Sequence, residues 1–322
     1  MTSTVTVLKT CVGGYVGSGG VHPALVDAAR EAVAGAKDAG RVADAYVARC
    51  GDDLALVLLH GPGSSSVLSV GREAFTRSGA VSTRLGQHRA RAETNGGAEV
   101  EVAEVSFDPR TSEPVLCFLS DKAPAGAWNV HLYRMFADPF NTSTLLDDER
   151  ARMGFRFVVD DPASGTTEEF DLPDDLHGFL RRVTSGEGCI VREVRSRATG
   201  AAAAVASGGT DPALLVRCED AFPTVGEVLE PLAFPYAVGA APLMPVATTD
   251  EATTRSDGPP RAIGLGFQVT AGRLIGPRDL LGDRAFDEAR RQAVSASDYL
   301  RRHGPFAPGR VAADRTTHVT TA

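Results

Sequence analysis

Short strand-forming runs and helix-forming stretches are interleaved along this chain without a regular period. That irregular alternation restricts it to a layered packing of mixed strands and helices rather than a bundle, a sandwich or a regular dinucleotide-binding fold. Residues 4–8 alternate and are β-branched, and strands at 42–49 and 53–60 meet at Cys50-Gly51-Asp52-Asp53. Further strands fit 100–107, 114–119, 155–159, 189–194, 214–218 and 263–269. Helices fit 23 to about 40, a short segment at 67–76, and 173–184, 223–232 and 283–302. Residues 77–97 read as polar and irregular, and 198–209 as an Ala/Gly/Ser linker. The expectation is an α/β (α+β) chain with one domain over residues 1–306 and a polar C-terminal tail over 307–322.

The 322 residues include 33 Lys and Arg against 41 Asp and Glu, a net charge of -8, with 43% hydrophobic residues. Such a chain buries a core and is neither intrinsically disordered nor collagen-like. Its acidity argues against nucleic-acid binding. No apolar run approaches the roughly 18 residues of a membrane span, and no signal-peptide pattern opens the chain. A cytoplasmic protein with a small-molecule substrate and no membrane partner is expected. Arg, Ala and Gly richness suggests a GC-rich bacterial genome. Five scattered cysteines with no CxxC pair offer neither a zinc ribbon nor a dithiol redox motif. Only Lys9, Lys37 and Lys122 are lysines. Lysine imine chemistry therefore has three candidate owners, of which Lys9 lies within a strand and Lys37 on the polar side of a helix.

Among the motifs, the glycines at 13, 14, 17, 19 and 20 do not follow the G-x-G-x-x-G spacing, and no serine sits in G-x-S-x-G. Gly51-Asp52-Asp53 is a tight turn with two adjacent carboxylates, either a solvated turn or an oxygen-donor site for Mg²⁺. Asp121-Lys122 ends an apolar strand, where ligand sites of layered α/β proteins often lie. The sole tryptophan, Trp128, and the aromatics around Tyr133 to Phe140 read as core or subunit-interface packing. Asp257-Gly258-Pro259-Pro260 is a rigid turn carrying a carboxylate.

In order along the chain, these and other blocks resemble the archaeal and bacterial fructose-1,6-bisphosphate aldolase/phosphatase family. They are Gly51-Asp52-Asp53, Asp121-Lys122, Leu132-Tyr133-Arg134-Met135-Phe136-Ala137-Asp138-Pro139-Phe140-Asn141-Thr142 and Pro242-Leu243-Met244-Pro245. Asp257-Gly258-Pro259-Pro260, Gly264-Leu265-Gly266-Phe267, Asp283-Arg284-Ala285-Phe286-Asp287 and Arg301-Arg302-His303-Gly304-Pro305-Phe306 complete the set. The resemblance is weakest at about residues 77–97 and 160–210. It implies a single-domain, four-layer α-β-β-α fold, usually a homo-octamer. It also implies condensation of two triose phosphates through a lysine Schiff base, followed by Mg²⁺-assisted phosphate hydrolysis in the same pocket.

The departures fall on the chemistry. Where the family has a metal-binding aspartate and histidine, this chain has Cys11 and Ser18. The family's Tyr-Val-Gly-Lys-Asp-Asp-Pro aligns with Ala206-Ser207-Gly208-Gly209-Thr210-Asp211-Pro212, so the aldolase tyrosine and the Schiff-base lysine are both absent. A Trp-Met-Arg-Gly-Ser-His segment is shortened to residues 236–241, and a C-terminal substrate tyrosine is replaced near His318. By resemblance, Asp52, Asp53, Asp121 and Asp211 would hold Mg²⁺. Lys122 would contact phosphate, Asp257 a hydroxyl, and Gln87 would match a metal-ligating glutamine that touches substrate. Asp52, Asp53, Asp121 and Lys122 are the catalytic candidates. The leading expectation is a metal-dependent hydrolase or lyase on a small phosphorylated or polyhydroxylated metabolite, in specialised bacterial biosynthesis and as a homo-oligomer. The alternatives are an inactive binding homologue and a metal-free enzyme with a pocket around Cys11 and Ser18.

Overall fold

The computed structural model describes residues 2–17, 19–63, 66–87, 100–108, 110, 112–184, 188–234, 242–250 and 258–303. Two sheets form the centre. The smaller has four strands in the order β2-β3-β1-β4, formed by β1 (Ser3–Cys11), β2 (Asp44–Cys50), β3 (Asp53–His60) and β4 (Glu101–Phe107). The larger holds β5 (Glu113–Asp121), β6 (Phe155–Asp161), β7 (Thr166–Leu172), β8 (Ile190–Ser196), β9 (Ala202–Ala206), β10 (Ala213–Arg217), β11 (Met244–Pro245), β12 (Arg261–Thr270) and β13 (Arg273–Asp279). Its path runs β11-β12-β5-β10-β9-β8-β6-β7, with β13 also on β12.

Three apolar cores separate four layers, in the expected α-β-β-α order. Helices α1 (Pro23–Asp38) and α2 (Ser66–Arg84) cover the outer face of the small sheet through Leu25, Ala29, Val33, Val70 and Phe75. Val5, Val7, Val57, Cys117, Leu119 and Leu215 fill the space between the sheets. Beyond the large sheet lie α3 (Asn129–Ala137), two single-turn helices α4 (Thr144–Asp147) and α5 (Glu149–Arg152), α6 (Leu176–Thr184), α7 (Val225–Ala233) and α8 (Asp287–His303). There Trp128, Phe136, Phe155, Phe157 and Phe179 form the aromatic part of the third core. Every residue of β3 is buried, as a central strand covered on both faces requires. Each fully buried Leu or Val there contributes about 1.5–3 kcal/mol.

Where the structure departs from expectation, the cause is local. Helix α2 continues to Arg84, well past residue 76, because Ser78 and Ser82 occupy its buried face and break the apolar signal without breaking the helix. The Ser78 hydroxyl donates to the Leu25 carbonyl at 2.8 Å, which satisfies it inside the layer. The stretch at 198–209 is no linker: Ala202–Ala206 is β9, an interior strand whose small side chains read poorly as strand formers. The unanticipated β7 and β13 are polar edge strands, the composition edges favour. The tail 307–322 lies outside the described residues.

Candidate functional site

The site lies at the seam between the two sheets. The β2–β3 hairpin pairs Cys50 with Asp53 and leaves Gly51-Asp52 as a two-residue loop. Gly51 has φ +59°, a conformation that a hairpin loop of this length assigns to glycine. A Cβ on Gly51 would lie 2.2 Å from an Asp121 carboxylate oxygen, so the bare backbone lets the end of β5 approach the hairpin. β1 places Cys11 opposite Asp53, and the Cys11 thiol donates to the Asp52 carbonyl at 3.3 Å.

The fourth carboxylate arrives from the β9–β10 turn. Asp211 and Ala123 exchange two hydrogen bonds: the Asp211 amide donates to the Ala123 carbonyl at 2.8 Å, and the Ala123 amide donates to Asp211 Oδ1 at 2.6 Å. The Pro212 carbonyl accepts from Ser120 Oγ at 2.8 Å and from Trp128 Nε1 at 2.9 Å. The sole tryptophan is thus core packing, as expected, and it also fixes this turn. Lys122 and Asp211 both hold left-handed backbone, φ +57° and +54°. Such geometry costs about 1–3 kcal/mol at a non-glycine residue and persists where its surroundings enforce it.

Lys9 is the residue sequence reasoning passed over. Its side chain runs from β1 into the acidic group and is 1% exposed. Its ammonium is ion-paired with Asp53 and donates to the Asp211 carbonyl at 3.0 Å. Burial alone would lower its pKa, but Asp53 and Asp211 outweigh it and hold the ammonium charged. No local signal marks Lys9, because its partners lie 44 and 202 residues away.

Burial, together with Asp53, Asp52 or Asp121 nearby, raises the carboxyls of Asp52, Asp121 and Asp211; Asp211 is pushed up to about 7, against the opposing pull of Lys9. Burial and the flanking Asp52 and Asp53 push the Cys11 thiol up to about 12, so it stays protonated. The other sequence candidates are less central. Gln87 follows α2, and its amide oxygen accepts from Ser82 at 3.4 Å, a contact at its own helix end. Asp257, Ser18, residues 236–241 and His318 lie outside the described residues. At position 209 the Glu101 carboxylate takes the space next to the backbone: a Cβ would sit 1.8 Å from Glu101 Oε1, so a side chain there would displace it.

The donors suit a hard divalent cation. Ligand atoms of Cys11, Asp52 and Asp53 lie within 4.8 Å of one another, and Asp121 and Asp211 are electrostatically coupled to the same group. Carboxylate oxygens are the donors Mg²⁺ prefers, whereas a protonated thiol adds little for it.

A family profile described as fructose-1,6-bisphosphatase matches residues 2–322. The chain is 39% identical to a fructose-1,6-bisphosphate aldolase/phosphatase of Ignicoccus hospitalis, over 96% of this chain and 87% of that protein. It is 38% identical to one of Moorella thermoacetica, over 98% and 90%. It is 36% identical to one of Methanothermobacter marburgensis, over 99% and 96%. With a full-length profile match and relatives this close, carrying the aspartate-lined seam described above, the chain belongs to the fructose-1,6-bisphosphate aldolase/phosphatase family.

Proposed function

We propose that the chain is a divalent-metal-dependent enzyme that hydrolyses a phosphate ester of a small polyhydroxylated metabolite. The observation that carries this reading is the charge balance at the seam. Four coupled carboxylates, Asp52, Asp53, Asp121 and Asp211, face two ammonium groups, Lys9 and Lys122. With all four carboxylates ionised, as a bound cation would hold them, the surplus of two negative charges in a largely buried setting matches a divalent cation.

Asp52 and Asp121, with the oxygens of Asp53 and Asp211 not engaged by Lys9 and Ala123, would hold Mg²⁺. Bound there, the cation would polarise a phosphoryl oxygen and ease ionisation of water. The chain's own part is positioning. Lys9 holds Asp53 in one orientation, the Asp211–Ala123 exchange fixes the β5 end, and Lys122 offers an ammonium to the phosphate. Hydrolysis is favoured over imine-based carbon–carbon chemistry. Position 209 is occupied by glycine with Glu101 against it, and a Lys9 kept charged and buried in an ion pair is a poor amine nucleophile. A role in specialised bacterial biosynthesis in the cytoplasm, and self-association up to the octamer, belong to the same reading. Phe140, 99% exposed in its Pro139-Phe140 turn, supports the second.

Calorimetric titration of Mg²⁺ and Mn²⁺ into the wild type and Asp52→Asn tests the reading. Wild-type binding with at least a roughly tenfold loss in the variant is expected, alongside loss of phosphate release from sugar phosphates. A wild type that binds neither ion would remove the mechanism.

A further inference from the structure

A cavity of about 500 Å³ opens beside the seam where the edge of the small sheet meets the far end of the large one. Glu101 at the start of β4, Asp160 of β6, Thr167 of β7, Arg192 of β8 and the Gly208–Gly209 turn line it. Two of these side chains occupy space that the bare turn leaves open. The Glu101 carboxylate occupies the space of a side chain at 209, and the Arg192 guanidinium lies where one at 208 would begin, 2.8 Å from the Cβ position.

The polar inventory of the cavity is uneven. Asp161 is fully engaged by Arg182, Ser164 and the Ala163 amide. Asp160 accepts from Thr167 at 2.8 Å and pairs with Arg192 at 3.4 Å. Among the described residues, Glu101 accepts a single bond, from the Gly209 amide at 2.9 Å, although a carboxylate has about four acceptor positions. Arg192 Nη1 is buried away from the cavity, with no acceptor among the described residues. The cavity thus holds one carboxylate with spare acceptor capacity and, on the opposite wall, a hydroxyl–carboxylate pair.

We infer that this cavity is a subsite for a protonated amine on a hydroxylated ligand, the amino-sugar class, with Glu101 receiving the ammonium and Asp160 and Thr167 facing its hydroxyl groups. The inference rests on the sugar-phosphate reading above and narrows it to amine-bearing substrates. A charge-assisted bond to Glu101 replaces a neutral one when an amine stands where a hydroxyl otherwise would.

The test compares binding of glucosamine 6-phosphate and glucose 6-phosphate by calorimetry, using the full-length chain with Mg²⁺ present. The wild type is expected to bind the amino sugar about tenfold more tightly. Glu101→Gln keeps an acceptor for the Gly209 amide and so preserves the turn, and in it the two ligands are expected to bind alike. Equal affinities in the wild type, or a preference that survives in Glu101→Gln, would overturn the amine subsite and leave the sugar-phosphate reading intact. Binding of neither compound would overturn both.

Discussion

Lys9 shows how much of this site turns on one side chain. A buried ammonium held by Asp53 leaves a carboxylate stranded when it is removed, and stranded buried charges are costly. Lys9→Met is expected to lose about 3–5 kcal/mol of unfolding free energy at neutral pH. The double variant Lys9→Met/Asp53→Leu should recover most of that loss, because it removes the charge left behind. Urea denaturation of the three proteins checks this, and a Lys9→Met protein as stable as the wild type would show that the pair carries no weight. The carboxylates themselves were legible: Asp52-Asp53 announces itself as a turn and Asp121-Lys122 as a strand end. Lys9 was not, since a lysine inside an apolar strand carries no information about a partner 202 residues away.

At the level of elements, α3 carries a group whose protonation opposes folding. His131 is 3% exposed and set edge-on to Trp128 with ring centroids 5.6 Å apart. Burial, aided by Arg134, pushes it down to about 4 from an ordinary value of 6.5. Above about pH 6.5 the ring is neutral folded or unfolded, and the native state keeps its full stability. As pH falls from there towards 4, the unfolded chain takes up a proton that the native state refuses, so stability drops by up to about 3 kcal/mol. The difference in urea midpoint between pH 7 and pH 4.5 should shrink in His131→Leu; an unchanged difference would place the acid sensitivity elsewhere. Elements were readable where their periodicity was apolar, as in β1, β3 and α1. They were missed where small or polar residues stood in buried or edge positions: serines on α2, alanines in β9, and Thr166–Leu172 at the rim.

Across the whole molecule, the aromatic block from Tyr133 to Phe140 divides between two uses. Tyr133 stacks near Phe179 and Phe136 packs on Phe155, whereas Phe140 projects fully into solvent at the end of the same block. If that ring belongs to a subunit contact, Phe140→Ser should lower the mass measured by light scattering without changing the far-ultraviolet circular dichroism. The same mass for both proteins would assign the contact to another surface. Among the described residues no helix is long and apolar enough to cross a membrane. The layered order was legible from interleaved strands and helices, but the joining of the sheets at the acidic seam was not, because it depends on pairings between distant segments. That joining bears on how the protein matures. The proposed ligands are divided, Asp52 and Asp53 on the β2–β3 hairpin of the small sheet and Asp121 and Asp211 at the end of β5 and in the β9–β10 turn of the large one, so a chain with only one sheet formed holds only half of the acidic group. Until the sheets dock, Lys9 and Asp53 of the small sheet remain hydrated and apart from Asp211, and the complete set of four carboxylates marks finished folding rather than any partly folded intermediate.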